Sequence, residues 1–222
     1  MKGIIALSLL VLGLFACQSE TPKKAENAAT KSPSQPVQVQ KKNIVFFGNS
    51  LTAAYQLSPE QGFTEILQRR IDSLGLPYTC VNAGLSGETT ADGVNRIDWV
   101  LQQPVDIFVL ELGANDMLRG LPIAESKKNL QAMLDRVKVK NPACKIVVAG
   151  MLAPPNLGAS YTNAFREMYP DLAKKNSAVL IPFLLENVGG IPSLNLPDGI
   201  HPNAEGQKIV AENVWKVLKP LL

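Results

Sequence analysis

Apolar residues in this chain gather into short unbroken runs separated by longer stretches of helical period. Ile44-Val45-Phe46-Phe47 leads straight into Gly48-Asn49-Ser50. Comparable runs are Val105 to Leu110 before Gly113, Lys145 to Ala149 before Gly150, and Ala178 to Ile181, with a weaker one from Tyr78 to Val81 before Asn82-Ala83-Gly84. Runs this short and this continuous read as strands buried on both faces, the pattern of a parallel sheet. Between them, Phe63, Ile66, Leu67, Arg70 and Ile71 share one helical face; Val94, Ile97 and Leu101 share another; Leu130, Met133, Leu134 and Val137 a third. A last helix is expected from about Pro202, a residue suited to a first turn, with Ile209, Val210, Val214, Val217 and Leu218 inward. Five strands alternating with five helices predict an α/β fold: a three-layer α/β/α sandwich around a five-stranded parallel sheet.

Before Asn43 the pattern is different. Met1-Lys2-Gly3 precedes an apolar run from Ile4 to Phe15 and then Ala16-Cys17. A positive start, a short apolar core and a small residue read as an export signal over residues 1–16, too short for a spanning helix, which needs about 20 residues. Leu14-Phe15-Ala16-Cys17 resembles a bacterial lipobox, which implies acylation of Cys17 and a lipid anchor in the cell envelope. An ordinary signal with a coincidental cysteine accounts for the same run. Residues 17–42 are rich in Pro, Ser, Ala, Lys and Gln and lack an aromatic residue. Such a segment cannot bury enough surface to fold, and as a flexible coil it would hold the domain (43–222) on the order of 25–30 Å from its anchor.

Composition narrows the function. With 222 residues, 46% hydrophobic and 18% charged, the chain holds one ordinary domain and is neither disordered nor polytopic. Six of its lysines and only two of its acidic residues precede Asn43, so the domain carries 16 basic against 17 acidic residues. A near-neutral domain has no electrostatic footprint for nucleic acid. One histidine with scattered cysteines lacks the ligand spacing of a metal site, and neither Gly-x-Gly-x-x-Gly nor a Walker pattern occurs, so no cofactor is implied.

In open parallel sheets ligands sit beyond the carboxyl ends of the strands. Four polar clusters should land there: Gly48-Asn49-Ser50-Leu51, Gly84-Leu85-Ser86-Gly87-Glu88-Thr89, Gly113-Ala114-Asn115-Asp116 and Asp198-Gly199-Ile200-His201-Pro202. His201 is the only histidine, hence the only imidazole base available to a hydroxyl nucleophile. Asp198, three residues earlier, falls on the same side of a turn and can fix its tautomer. Taken singly, Ser50 fits a helix N-cap, Asp198 and His201 fit a helix start, and Asn115-Asp116 fits a turn. Together they supply one nucleophile, one base, one orienting acid and two hydrogen-bond donors.

In order and spacing these blocks resemble those of the SGNH (GDSL-type) hydrolases, and most closely the bacterial thioesterase, lysophospholipase and arylesterase branch, where a similar Asn-Asp-x-Leu-Arg-Gly run occurs. The resemblance implies a flavodoxin-like strand order 2-1-3-4-5, with Ser50 as nucleophile, His201 as general base and acid, and Asp198 orienting it. It also implies an oxyanion hole from the backbone N–H groups of Ser50 and Gly87 and the side-chain amide of Asn115. Asn49 departs from the family's usual Asp. The reaction implied is hydrolysis of acyl or aryl esters, thioesters or lysophospholipids through an acyl-enzyme, by a monomer whose partners are a small-molecule or lipid ester and the membrane. A carbohydrate O-acetylesterase and a non-catalytic acyl-lipid-binding lipoprotein are the rival readings. Apolar walls are expected from Met117, Leu118, Leu121, Ala153 to Leu157, Leu184, Leu185, Val188 and Ile191. Glu111 reads as a structural carboxylate. Cys80 and Cys144, three strand spacings apart in that order (about 14 Å), are too distant for a disulfide.

Overall fold

The computed structural model describes residues 40–222; the leader, Cys17 and nearly all of the tether lie outside the described residues. The elements follow in the order β1 (Lys42–Gly48), α1 (Phe63–Ser73), β2 (Tyr78–Gly84), α2 (Thr90–Val100), β3 (Ile107–Glu111), α3 (Ala114–Leu118), α4 (Ile123–Lys140), β4 (Lys145–Ala149), α5 (Ala159–Asn176), β5 (Val179–Ile181) and α6 (Ala204–Leu218). The five strands form one sheet in the order β2-β1-β3-β4-β5, and every pairing is parallel.

Alternation along β1 explains the two cores. Val45 and Phe47 point to one face, where they meet Phe108, Leu110 and the inward stripes of α2, α4 and α5. Ile44 and Phe46 point to the other, toward Ile107, Val109 and the stripes of α1 and α6, with the Phe46 and Phe63 rings edge to face at 5.6 Å. Each large apolar side chain so buried contributes about 1.5–3 kcal/mol relative to exposure. Because β1 and β3 lose water on both faces, every residue from Val45 to Gly48 and from Ile107 to Glu111 is buried.

The structure differs from the sequence expectation in detail. β1 begins at Lys42, inside the stretch read as tether. A sixth, five-residue helix (α3) follows Gly113, whose φ of 121° turns the chain out of β3. The last helix starts at Ala204, because Asn203 caps it by accepting from Glu205 N and Gly206 N, so Pro202 precedes the helix. Cys80 in β2 and Cys144 just before β4 are free thiols with two strands between them, and burial pushes both up to about 12.

Candidate active site

Ser50 stands on the turn that leaves β1. The turn is tight because Gly48 has no side chain: a Cβ there would collide with Thr52 and Glu111. Asn49 is buried, and its Oδ1 accepts from Leu51 N at 3.0 Å, an interaction that an aspartate would also make. Glu111, paired in register with Gly48, underlies the turn and accepts from Asn49 N (3.1 Å), Thr52 N (3.3 Å) and Thr52 Oγ1 (2.7 Å). Burial pushes its carboxyl up to about 7 against these bonds. Two buried atoms, Asn49 Nδ2 and Glu111 Oε1, have no partner in strict hydrogen-bond geometry. The Asn49 amide still lowers the Glu111 pKa, as the weakest of its hydrogen-bonding influences. Glu111 is thus the structural carboxylate the sequence suggests, holding the turn that carries Ser50.

His201 arrives on a long loop after β5. Asn195 Nδ2 holds that loop by donating to Val188 O (2.7 Å) and Ile191 O (2.8 Å), and Leu196 N donates to His201 O (2.7 Å). Asp198 Oδ1 accepts from Ile200 N and His201 N, both at 3.0 Å, which folds the carboxylate back toward the ring. Its Oδ2 lies 2.7 Å from His201 Nδ1, and His201 Nε2 lies 2.8 Å from Ser50 Oγ. Burial would raise the Asp198 pKa, but the Ile200 N–H, the imidazole and the His201 N–H outweigh it and hold the carboxyl below its ordinary value. A charged carboxylate on Nδ1 keeps that nitrogen protonated and leaves Nε2 free to accept the Ser50 proton. The Asn49 Oδ1 acceptor, at 3.4 Å from Ser50 Oγ, is a weak competitor for it.

The loop after β2 is tied to β1 by Leu85 N donating to Gly48 O at 2.9 Å. Gly87 has a φ of 82°, a left-handed conformation that suits glycine, and Arg119 donates to its carbonyl at 3.0 Å. Asn115 Nδ2 donates to Glu88 O at 2.9 Å, which spends one of its two N–H bonds and anchors the amide. Glu88 is in turn fixed by Arg96, whose guanidinium sits 4.2 Å from the Phe47 ring centroid. Asp116 is buried and structural: it accepts from Thr90 N, Thr90 Oγ1 and Ser126 Oγ, joining α2 to α4.

Ser50, Asp198 and His201 therefore form one hydrogen-bonded chain, and the Gly87 loop is fastened to Asn115 and Arg119 at α3 and to β1. Two depressions open on the segments that flank it, about 480 Å³ lined by Leu85–Glu88, Arg96 and Arg119, and about 350 Å³ lined by Gly190–Pro192, Asn195–Pro197 and Gly199. A larger hollow between α4 and α5, about 570 Å³, contains none of these residues. Several expected wall residues are core instead: Met117, Leu184 and Val188 are buried. The exposed apolar residues at the strand ends are Tyr55, Leu85, Leu118, Leu152, Leu157, Ile191 and Ile200. Sequence reasoning missed Tyr55 and Arg119; the Arg in the Asn-Asp-x-Leu-Arg-Gly run was the available signal for the second.

Residues 46–209, from within β1 into α6, match the family described as GDSL-like lipase/acylhydrolase. An arylesterase of Vibrio mimicus is 33% identical over 213 residues, which cover 96% of this chain and 98% of that protein. The thioesterase 1/protease 1/lysophospholipase L1 of Escherichia coli (strain K12) is 34% identical over 180 residues, 81% of this chain and 84% of that protein. The crystal structure of TesA superposes with a TM-score of 0.78 at 38% identity, covering 82% of this chain and all of TesA. The matched span holds the Ser50 turn, the Gly87 loop, Asn115 of α3 and the Asp198–His201 pair. The chain belongs to the GDSL-like lipase/acylhydrolase family, within the SGNH hydrolases.

Proposed function

We propose that the chain hydrolyses carboxylic esters through an acyl-enzyme on Ser50. The reading is supported most directly by the unbroken relay from Asp198 Oδ2 through the His201 ring to Ser50 Oγ, with links of 2.7 and 2.8 Å. The Ser50 proton passes to His201 Nε2 as Oγ bonds to the acyl carbon. The negative charge that collects on the former carbonyl oxygen is met by the Ser50 and Gly87 N–H groups and by the second N–H of Asn115; one such donor is worth about 10²–10³ in turnover. His201 returns the proton to the leaving oxygen or sulfur, the bond to that atom breaks, and the acyl-enzyme remains. A water then loses its proton to His201 and attacks, releasing the acid and restoring Ser50.

The exposed apolar residues at the strand ends suit acyl and aryl esters, and the likeness to an arylesterase and to a thioesterase/lysophospholipase extends the range to thioesters and lysophospholipids. A fluorophosphonate probe should label the protein in wild type and not in Ser50→Ala, and Ser50→Ala should lose hydrolysis of p-nitrophenyl esters by a factor of about 10³ or more. Labelling that persisted without Ser50 would overturn the assignment. The protein is read as exported and tethered to the membrane through acylated Cys17, a reading supported by residues 1–17 alone. Palmitate incorporated by wild type and retained by Cys17→Ser would exclude that anchor.

A further inference from the structure

The segment after Ser50 is wound unusually tightly. Ala53 N donates to Asn49 O (2.9 Å), Tyr55 N to Ser50 O (3.1 Å) and Leu57 N to Ala54 O (2.9 Å). Within it Ala54 and Gln56 have φ of 55° and 58°, a region that residues other than glycine, asparagine and aspartate seldom enter. Ala54 is nonetheless buried, and a Cβ at Gly62 would come within 2.8 Å of its methyl group, so the strained backbone is clamped from outside. Strain that survives at a site is a reason to ask what it places there.

It places Tyr55. The tyrosine lies between the two left-handed residues, and its ring sits over the His201 ring, centroids 4.6 Å apart and planes inclined at 40°. Tyr55 is 38% exposed, and its hydroxyl makes no hydrogen bond among the described residues. His201 is otherwise held at two points, Nδ1 on Asp198 and Nε2 on Ser50. The Cβ–Cγ bond and the contacts at those two nitrogens orient the ring in its own plane. The Tyr55 face packs against the direction they restrain least, out of that plane. The face of a phenol ring also carries negative charge density, so the contact strengthens when proton transfer from Ser50 turns the imidazole into a cation.

We propose that Tyr55 is a positioning residue for His201: its aromatic face limits out-of-plane displacement of the imidazole and stabilises the imidazolium formed during acyl transfer. The proposal rests on the ester-hydrolase reading and adds to it a residue outside the four sequence blocks. Tyr55→Phe keeps the face, whereas Tyr55→Leu keeps apolar bulk without it. Against p-nitrophenyl acetate, Tyr55→Phe should keep kcat close to wild type, and Tyr55→Leu should lower it by about two- to thirtyfold with KM little changed. Because the chain has a single histidine, its imidazole signals in a histidine-labelled NMR sample need no assignment. They should move in Tyr55→Leu, through loss of the ring current, and stay in place in Tyr55→Phe. Tyr55→Leu with wild-type kcat, or with unmoved imidazole signals, would overturn the positioning role while wild-type turnover preserved the hydrolase reading. A wild type that turned over no ester and took up no fluorophosphonate would overturn both, with the NMR contact still measurable.

Discussion

Asp198 and Glu111 both bear on Ser50, one through the imidazole and the other through the backbone of its turn. Each accepts two backbone N–H groups and one side-chain donor. Their acidities nevertheless move in opposite directions, Asp198 below the ordinary value and Glu111 up to about 7. Burial is the largest influence on both, and it differs in degree: the Asp198 side chain is 33% exposed, whereas Glu111 is 1% exposed. Hydrogen bonds outweigh desolvation at the wet rim and lose to it inside the sheet. Asp198 can therefore serve as a standing charge beside an imidazolium, while Glu111 serves as a shaped acceptor.

That contrast can be broken at either end, and the largest effect is expected at the rim. Asp198→Asn keeps the shape but presents an amide to Nδ1, favouring the wrong tautomer. Ester turnover should fall by about 10³–10⁴ with little change in thermal stability. A variant retaining a tenth of wild-type kcat would remove Asp198 from the relay.

The effect at the buried end is smaller and lies in stability. Because the folded Glu111 pKa is raised above its unfolded value, the native state holds the proton more tightly than the unfolded chain between about pH 4.5 and 7. Its contribution is greatest below pH 4.5 and is lost as the pH rises to 7, by at most about 3 kcal/mol. In melts at pH 4.5, 6, 7 and 9, Glu111→Gln should lose less stability than wild type across that interval. Asn49→Asp, which sets a second carboxylate beside the first, should extend the loss above pH 7, because such pairs release their shared proton late. Parallel curves for the three proteins would show that the Glu111 charge is immaterial to the turn.

Most of the fold was legible because burial on both faces leaves a plain signature. β1, β3 and β4 are continuous apolar runs, whereas β2 at the sheet edge keeps partly exposed residues and reads weakly. α3, at five residues, is shorter than a helical stripe needs, and α5 carries Pro170 in its interior, which hides an otherwise regular buried face. In the site, Ser50, Gly87, Asn115, Asp198 and His201 were legible as residue types at strand ends. The Glu111 contacts were not, because they follow from the register of β3 against β1. Nor was the Tyr55 contact: the left-handed turns at Ala54 and Gln56 carry no glycine to mark them.

Strand order has a last consequence for how the catalyst is assembled. The Ser50 hydroxyl follows β1, whose neighbours β2 and β3 lead into Gly87 and Asn115, but the imidazole proposed to deprotonate it follows β5, with β3 and β4 lying between. Ser50 and His201 therefore follow strands three places apart in the sheet and lie 151 positions apart in the chain. The first three strands alone would hold a shaped cradle and a hydroxyl with no imidazole beside it. The relay needs the far edge of the sheet as well, because the loop that carries His201 reaches back from β5.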